Sequence, residues 1–479
     1  MTSFRRQMLA IAAGSTLMTM ACSATQVAGL SDSEPGAKPA AALASLALTP
    51  LLANSGSAAC APNESVLTQG GSYSPNVELT ASVALPGNSG VDVVMTPFGA
   101  IAAVNTDGGS SLHWVDPANG DIRLTTDLPN AINDVAYDGE ETLVIATGDK
   151  VIKVSAASGE TIGEISLSGV TRVAIAADGH LAAIADKTVY LYHNNQSIFS
   201  KLRDYTRVTD VELLSCGNNN LVYVTSFQNA RFTDINGQTN PIQIARLEAL
   251  DFSGNIEWFR FSHQTETIKQ NVADTRLYRV TLGRDGYLYI GGESAGTATV
   301  FRWRGLPLTE DEQFGRERPF VTRTDANSQL HNSASAHISY YARVHPIKGD
   351  LITSQITFPR LPNTKSNTMR IGDIAASESG NLYFGGAANS SIPNRENLTL
   401  NGAPVGEYDG RDRTWLSVSP NFRDRNFWTV LAGVGGKGIV QGVDAGYGYS
   451  AALSNAESGT VPVTVGNQDG SVFLSFVQE

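Results

Sequence analysis

The feature that most constrains this chain is a strand-turn-strand phrase that returns about every 40 residues. It reads VVMTPFGAIAAV (Val93–Val104), DVAYDGEETLVIAT (Asp134–Thr147) and VAIAADGHLAAIA (Val173–Ala185). Looser copies follow at Val211–Thr225, Val280–Gly292, Ile374–Gly386 and Ala452–Gly466, seven in all. Each is an apolar run, a glycine-bearing turn and a second apolar run. A chain built this way cannot bury its strands within one repeat, so the repeats must pack on one another. Four short strands per repeat predict an all-β fold, a seven-bladed β-propeller of four-stranded blades. Eight blades is the alternative count, if Val300–Gly305 is a C strand and His337–Phe358 opens a separate blade.

Composition fits that reading. Charged residues make up only 17% of 479 residues while glycine numbers 46, which suits short strands and tight turns rather than helices. The net charge of −12 argues against a nucleic-acid partner, which needs a basic face.

Residues 1–22 read as an export signal. Arg5 and Arg6 form a positive start, and Met8–Ala21 is an apolar stretch too short to span a bilayer. Cys22 follows it and resembles the lipidated cysteine of a bacterial lipobox, although Thr19 and Met20 replace the residues usual there. The alternative is an ordinary signal cut after Ala24. Arg5-Arg6 also faintly resembles a twin-arginine signal. Residues 23–74, rich in Ala, Ser, Gly and Pro, read as a flexible tether to a propeller over 75–479. These features predict an exported protein of the periplasm, outer membrane or cell surface, touching the membrane only through a lipid anchor. In an oxidising compartment Cys60 and Cys216 are a candidate disulfide.

The blades can be laid out from their turns. In the first, Val91–Pro97, Ala100–Thr106, Ser111–Asp116 and Asp121–Leu128 are strands A to D. The C–D turns DPANGD, SAASGE, LDFSGN and HPIKGD share a D/S-x-x-G element. With that element the chain resembles the YVTN and quinoprotein-like propellers over about residues 76–479, a resemblance specific for architecture and nearly silent on activity. NVELTASVALPGN (Asn76–Asn88) parallels a D strand with no A, B or C before it. At the other end SAALSNAESG, TVPVTVGNQDG and SVFLSFVQE read as A, B and C with no D. The N-terminal strand is therefore expected to complete the last blade and close the ring.

Blades one to three have short connections. Long ones begin at blade four: Gln228–Asn240, His263–Asp274, Ser294–Ala336, Pro359–Asn367 and Ala388–Asp412. All are of the B–C or D–A kind, so all should rise from one face, where binding residues usually sit. They carry Arg302, Trp303, Arg304, Arg316, Arg318, His331, His337, Tyr340, Tyr341 and Arg395. Arginine beside aromatics suits a carboxylate, a phosphate or a sugar. The expected partner is thus a protein or a glycan.

No catalytic signature is present. The sequence has no G-x-S-x-G elbow, no P-loop and no calcium loop, and the seven histidines match no metal-ligand spacing. GRDRTW (Gly410–Trp415) and FRDRNF (Phe422–Phe427) read as a cross-strand ion ladder on a blade surface. The leading function is binding or scaffolding. The alternative is an enzyme, a quinoprotein-like dehydrogenase or a metal-dependent hydrolase or lactonase, working at the central channel. For that reading Asp134, Asp210 and Asp373 would converge on the axis. No cofactor is expected for the first reading; calcium is the candidate for the second.

Overall fold

The computed structural model describes residues 61–233, 237, 239–261, 274–295, 336–362, 365–431, 437–458 and 470–479. They form seven four-stranded antiparallel blades. Blade one is Ser89–Thr96, Gly99–Thr106, Gly109–Val115 and Ile122–Leu128; blade two runs from Ile132–Tyr137 to Thr161–Ser166; blade three from Val170–Ile175 to Gln196–Leu202. Blade four is Arg207–Cys216, Asn219–Thr233, Thr239–Asp251 and Ile256–Arg260. Blade five is Thr275–Leu282, Leu288–Ala295, His337–Val344 and Leu351–Thr357. Blade six is Met369–Ala376, Leu382–Ala388, Asp412–Val418 and Arg425–Val430. His337–Val344 pairs with Leu288–Ala295 as strand C of blade five, so it opens no eighth blade.

The closure is as expected in kind and different in register. Ala81–Leu85 pairs antiparallel with Val472–Gln478 and is strand D of blade seven. Strand A of that blade, however, is Lys437–Gly446, and Tyr449–Ser458 is strand B. From the sequence alone, SAALSNAESG is the expected A strand. Lys437–Gly446 lacks the apolar run of the other A strands because Gly438, Gly442 and Gly446 allow close backbone approach. A Cβ on Gly442 would meet Asp92 Oδ1 at 2.7 Å and Val93 N at 2.9 Å.

The core is distributed among the blades. Six apolar clusters each fill the seams between neighbours; Ile101, Leu112 and Trp114 of blade one, for example, meet Val135, Ile145 and Ile152 of blade two. B strands are therefore buried on both sides, as in Gly99–Thr106. D strands such as Ile122–Leu128 are mostly exposed. Each seam closes with about 1.5–3 kcal/mol per fully buried large aliphatic side chain.

The last part of the expected tether is docked on the ring. Asn63 N–H donates to Asp285 O (2.9 Å), Asn421 N–H to Gln69 O (3.1 Å) and Ser74 N–H to Asn426 O (2.8 Å). Val66 is buried, and Asn76–Val77 pairs with Thr399–Leu400 in the blade-six insertion. Residues 61–79 are thus a strap across blades five and six. Cys216, at the A–B turn of blade four, is disulfide-bonded. Cys22 and Cys60, the only other cysteines, lie outside the described residues.

Candidate functional site

Every A strand breaks register at the same level, and Lys437–Gly446 breaks a second time at Lys437/Gly438. The breaks fall at Gly90/Asp92, Ile132/Asp134, Val170/Arg172 and Val208/Asp210. They recur at Leu277/Arg279, Ile371/Asp373 and Val440/Gly442. A bulge re-aims the side chain that follows it. The seven blades thereby contribute Asp92, Asp134, Arg172, Asp210, Arg279, Asp373 and Gly442 to the inner wall. Asp134, Asp210 and Asp373, expected there from sequence, are joined by two arginines and a fourth aspartate.

These groups latch blade to blade. Arg172 lies 3.2 Å from Asp134 Oδ1 and 3.5 Å from Asp210 Oδ1, and Arg279 lies 3.2 Å from Asp373 Oδ1. Each of the three expected aspartates also accepts a backbone N–H from the next blade. Val173 donates to Asp134 at 2.8 Å, Val280 to Asp210 at 2.9 Å and Val443 to Asp373 at 3.0 Å. Glu212 and Asp444 repeat the device two residues further along their strands, with Leu282 (2.9 Å) and Met95 (2.6 Å). Arg284 crosses from blade five to donate to Ala445 O and Met95 O, both at 2.8 Å. It ties blades seven and one together at the A–B end.

Burial raises every acid of this wall. Asp134 goes to about 6 against the pull of Arg172, and Glu212 and Asp373 to about 7. Asp92 is pushed well above the carboxylate range, first by burial and then by the charges of Asp373 and Asp134. It makes no ion pair among the described residues, and Oδ1 accepts only the Val93 N–H (2.8 Å). Among the described residues no group of three or more His, Cys, Asp or Glu is placed to hold a metal ion. Asp134, Asp210 and Asp373 are brought together as partners of guanidinium and amide groups rather than as an open carboxylate triad.

The long connections do leave from one side, the B–C and D–A side, over blades four to six. In blade four the expected loop Gln228–Asn240 is an extended hairpin, paired out to Thr233↔Thr239. Arg302, Trp303, Arg304, Arg316, Arg318 and His331 lie outside the described residues. His337 is inside them, its Nδ1 3.1 Å from Glu293 Oε1 at the root of the insertion. Glu293 is buried and also takes Tyr278 Oη (2.8 Å), Arg276 and Arg370. Burial alone would raise it, but the His337 and Tyr278 hydrogen bonds and the Arg370 charge outweigh that and hold it at about 2.

Three expectations for this face are corrected. Arg395 is buried, with Nη1 2.5 Å from Asp412 Oδ2 and its other nitrogens on Gly406 O and Glu407 O. It locks the blade-six insertion and offers no free guanidinium. Tyr340 and Tyr341 are fully buried in strand C of blade five. The expected surface ladder of GRDRTW and FRDRNF is interior in part: Asp412, Arg413 and Arg425 are buried, whereas Arg423 is exposed and Arg411 and Asp424 are half-buried. Alternating charge was read as a solvent face, but both sides of a propeller's C strand meet neighbouring blades.

No protein-family model matches the chain, and no curated protein matches it. Among solved structures it is similar to hydrazine synthase of Kuenenia stuttgartiensis, at 12% identity and a TM-score of 0.46, over 77% of this chain and 94% of that one. It is also similar to the Dos1 propeller, at 8% identity and a TM-score of 0.44, over 84% of this chain and 95% of that one. At such identities a likeness speaks to fold alone, and the propeller assignment stands on the seven sheets and their closure.

Proposed function

We propose that this chain is an exported cell-envelope propeller that binds a protein or glycan partner through its long-connection face. The observation that carries the reading is the asymmetry of the ring. Connections are short throughout blades one to three, whereas the blade-four hairpin, residues 296–335 and residues 389–411 all leave one side of blades four to six. In this reading Arg302, Trp303, Arg304, Arg316, Arg318 and His331 would supply planar donors and aromatic surface for the partner, and Arg395 and His337 hold the roots of the insertions. Export, with lipidation at Cys22, is supported by the N-terminal pattern and by the disulfide of Cys216, which suits an oxidising compartment.

The test is cross-linking in intact cells with three forms: the natural chain, one with residues 298–333 replaced by an Asn-Gly turn, and Asp92→Asn. The reading expects one partner, caught by the natural chain and Asp92→Asn and lost from the shortened form. A partner retained by the shortened form, or none from any form, overturns it. A second reading, an enzyme working in the channel, rests on Asp92, which the register break turns to the inner wall, whose carboxyl burial pushes well above the carboxylate range, and which makes no ion pair among the described residues. Turnover that survives loop shortening and vanishes in Asp92→Asn would move the function there.

A further inference from the structure

Strand C of blade six, Asp412–Val418, presents Arg413 and Trp415 on one side, two residues apart. Thr429 of strand D stands directly across from Trp415 and shares that side. This is the side that meets blade seven. Gly385 also pairs with Trp415, and a Cβ there would touch Val440 and Val443; a Cβ on Gly438 would meet Arg413 Cδ at 2.7 Å. Arg413, Trp415 and Thr429 are each 0% exposed.

The polar atoms of these three side chains are unanswered. Arg413 Nε, Nη1 and Nη2, Trp415 Nε1 and Thr429 Oγ1 have no hydrogen-bond partner among the described residues. The opposite side of the blade shows how such groups are normally met, with Trp428 Nε1 donating to Thr414 Oγ1 at 2.6 Å. Asp412 acts on Arg413 through its charge but accepts no hydrogen bond from it. It projects to the other side and is taken by Arg395. Burial lowers the Arg413 guanidinium only to about 10, so it stays charged at neutral pH. A buried guanidinium none of whose N–H groups finds an acceptor is a costly state even with the Asp412 charge nearby.

A planar fork of N–H donors, an indole N–H and a hydroxyl on one face, with no carboxylate turned toward them, form the complement of an oxyanion. The surroundings are basic as well. Arg411 Nε donates to Gly438 O at 3.1 Å, and Lys437 stands across from Asp412 in the strand register at the start of blade seven. Arg413 is the second residue of strand C and Gly438 the second of strand A, so the site lies at the long-connection end of the seam.

We propose that the seam between blades six and seven binds a small oxyanion, a carboxylate or a phosphate, with Arg413 as the charged anchor and Trp415 and Thr429 as neutral donors. The site is inside the ring wall and does not depend on the partner-binding reading above.

The test uses the full chain, freed of oxyanions by dialysis into Tris chloride. Its melting temperature is followed against inorganic phosphate and, separately, acetate, after overnight incubation because the site is buried. Sodium chloride at matched ionic strength is the control. The expected result is a saturable rise with phosphate or acetate that chloride does not give; which one acts separates the two sources. Arg413→Lys keeps the charge but loses the fork, and the half-saturating concentration should rise about tenfold or more. Arg413→Met should abolish the response. A natural chain that responds to neither anion overturns the proposal, above all if Arg413→Met melts higher than it. A response unchanged in Arg413→Met overturns it too, because the anion then sits elsewhere.

Discussion

Single residues decide what the inner wall can do. One position per blade, just after the register break of strand A and directly before a Val or Ile, carries Asp92, Asp134, Arg172, Asp210, Arg279, Asp373 or Gly442. The aspartates are buried, and their folded pKa values lie above the value of about 4 they have in an unfolded chain. The folded state therefore holds more protons than the unfolded state between about pH 4 and 7, and stability falls as pH rises through that window. Asp412 and Glu479, both raised to about 7 by burial, act in the same direction. Glu293, held at about 2, acts oppositely, and its contribution is lost only as pH falls below about 4. The expected result is a melting temperature higher near pH 5 than near pH 8, with the difference reduced in Asp373→Asn. A flat or rising melting profile over that range would contradict the assignment.

At the scale of elements, the strap and the closing strand carry the N-terminal part of the chain onto the ring. Ala61 and Pro62 lie against Gly286 at the A–B turn of blade five, and Cys216 ends strand A of the neighbouring blade four. Cys60, one residue before the strap, is the partner we assign to Cys216. Cys60→Ser should free the Cys216 thiol in a thiol count, and Cys22→Ser should not. Loss of the bridge should cost about 2–4 kcal/mol, read from denaturant unfolding. The strap was legible in the sequence only as a tether, because Ala, Ser, Gly and Pro carry no periodicity. It is held by backbone hydrogen bonds and by Val66, which composition does not reveal.

At the scale of the whole molecule, seven seams and one closure make the ring. Ala81–Leu85 is the strand that removes the open edge of blade seven, and Val83 pairs with Leu474 inside it. An exposed edge of this length invites pairing with another chain. Val83→Asp puts a charge into the closing strand's core side, and relative to the natural chain it should promote aggregation or lower the melting temperature steeply. Size-exclusion chromatography and thermal unfolding read the two outcomes. An unaltered monomer would mean that closure does not hold the ring.

Local periodicity and turn chemistry were enough to specify the repeat, the blade count, the short turns and the closing strand, since all of these are local properties of the chain. The sequence also carried the wall's signal, a charged residue directly before a Val or Ile in the A strands of blades one to six, although only three of the aspartates were recognised without the bulges that align them. What only the tertiary structure decided is which charges face which neighbours. Asp134, Asp210 and Asp373 share a level with Arg172 and Arg279 because bulges in five different blades turn them inward. Arg395, Arg413 and Arg425 lie inside because a blade has two packed sides, whereas sequence alternation marks only sides, not which of them meets water. Strand A of blade seven was hidden by its glycines, which have no side chain to show a period and are there because Asp92 of the next blade comes too close for one.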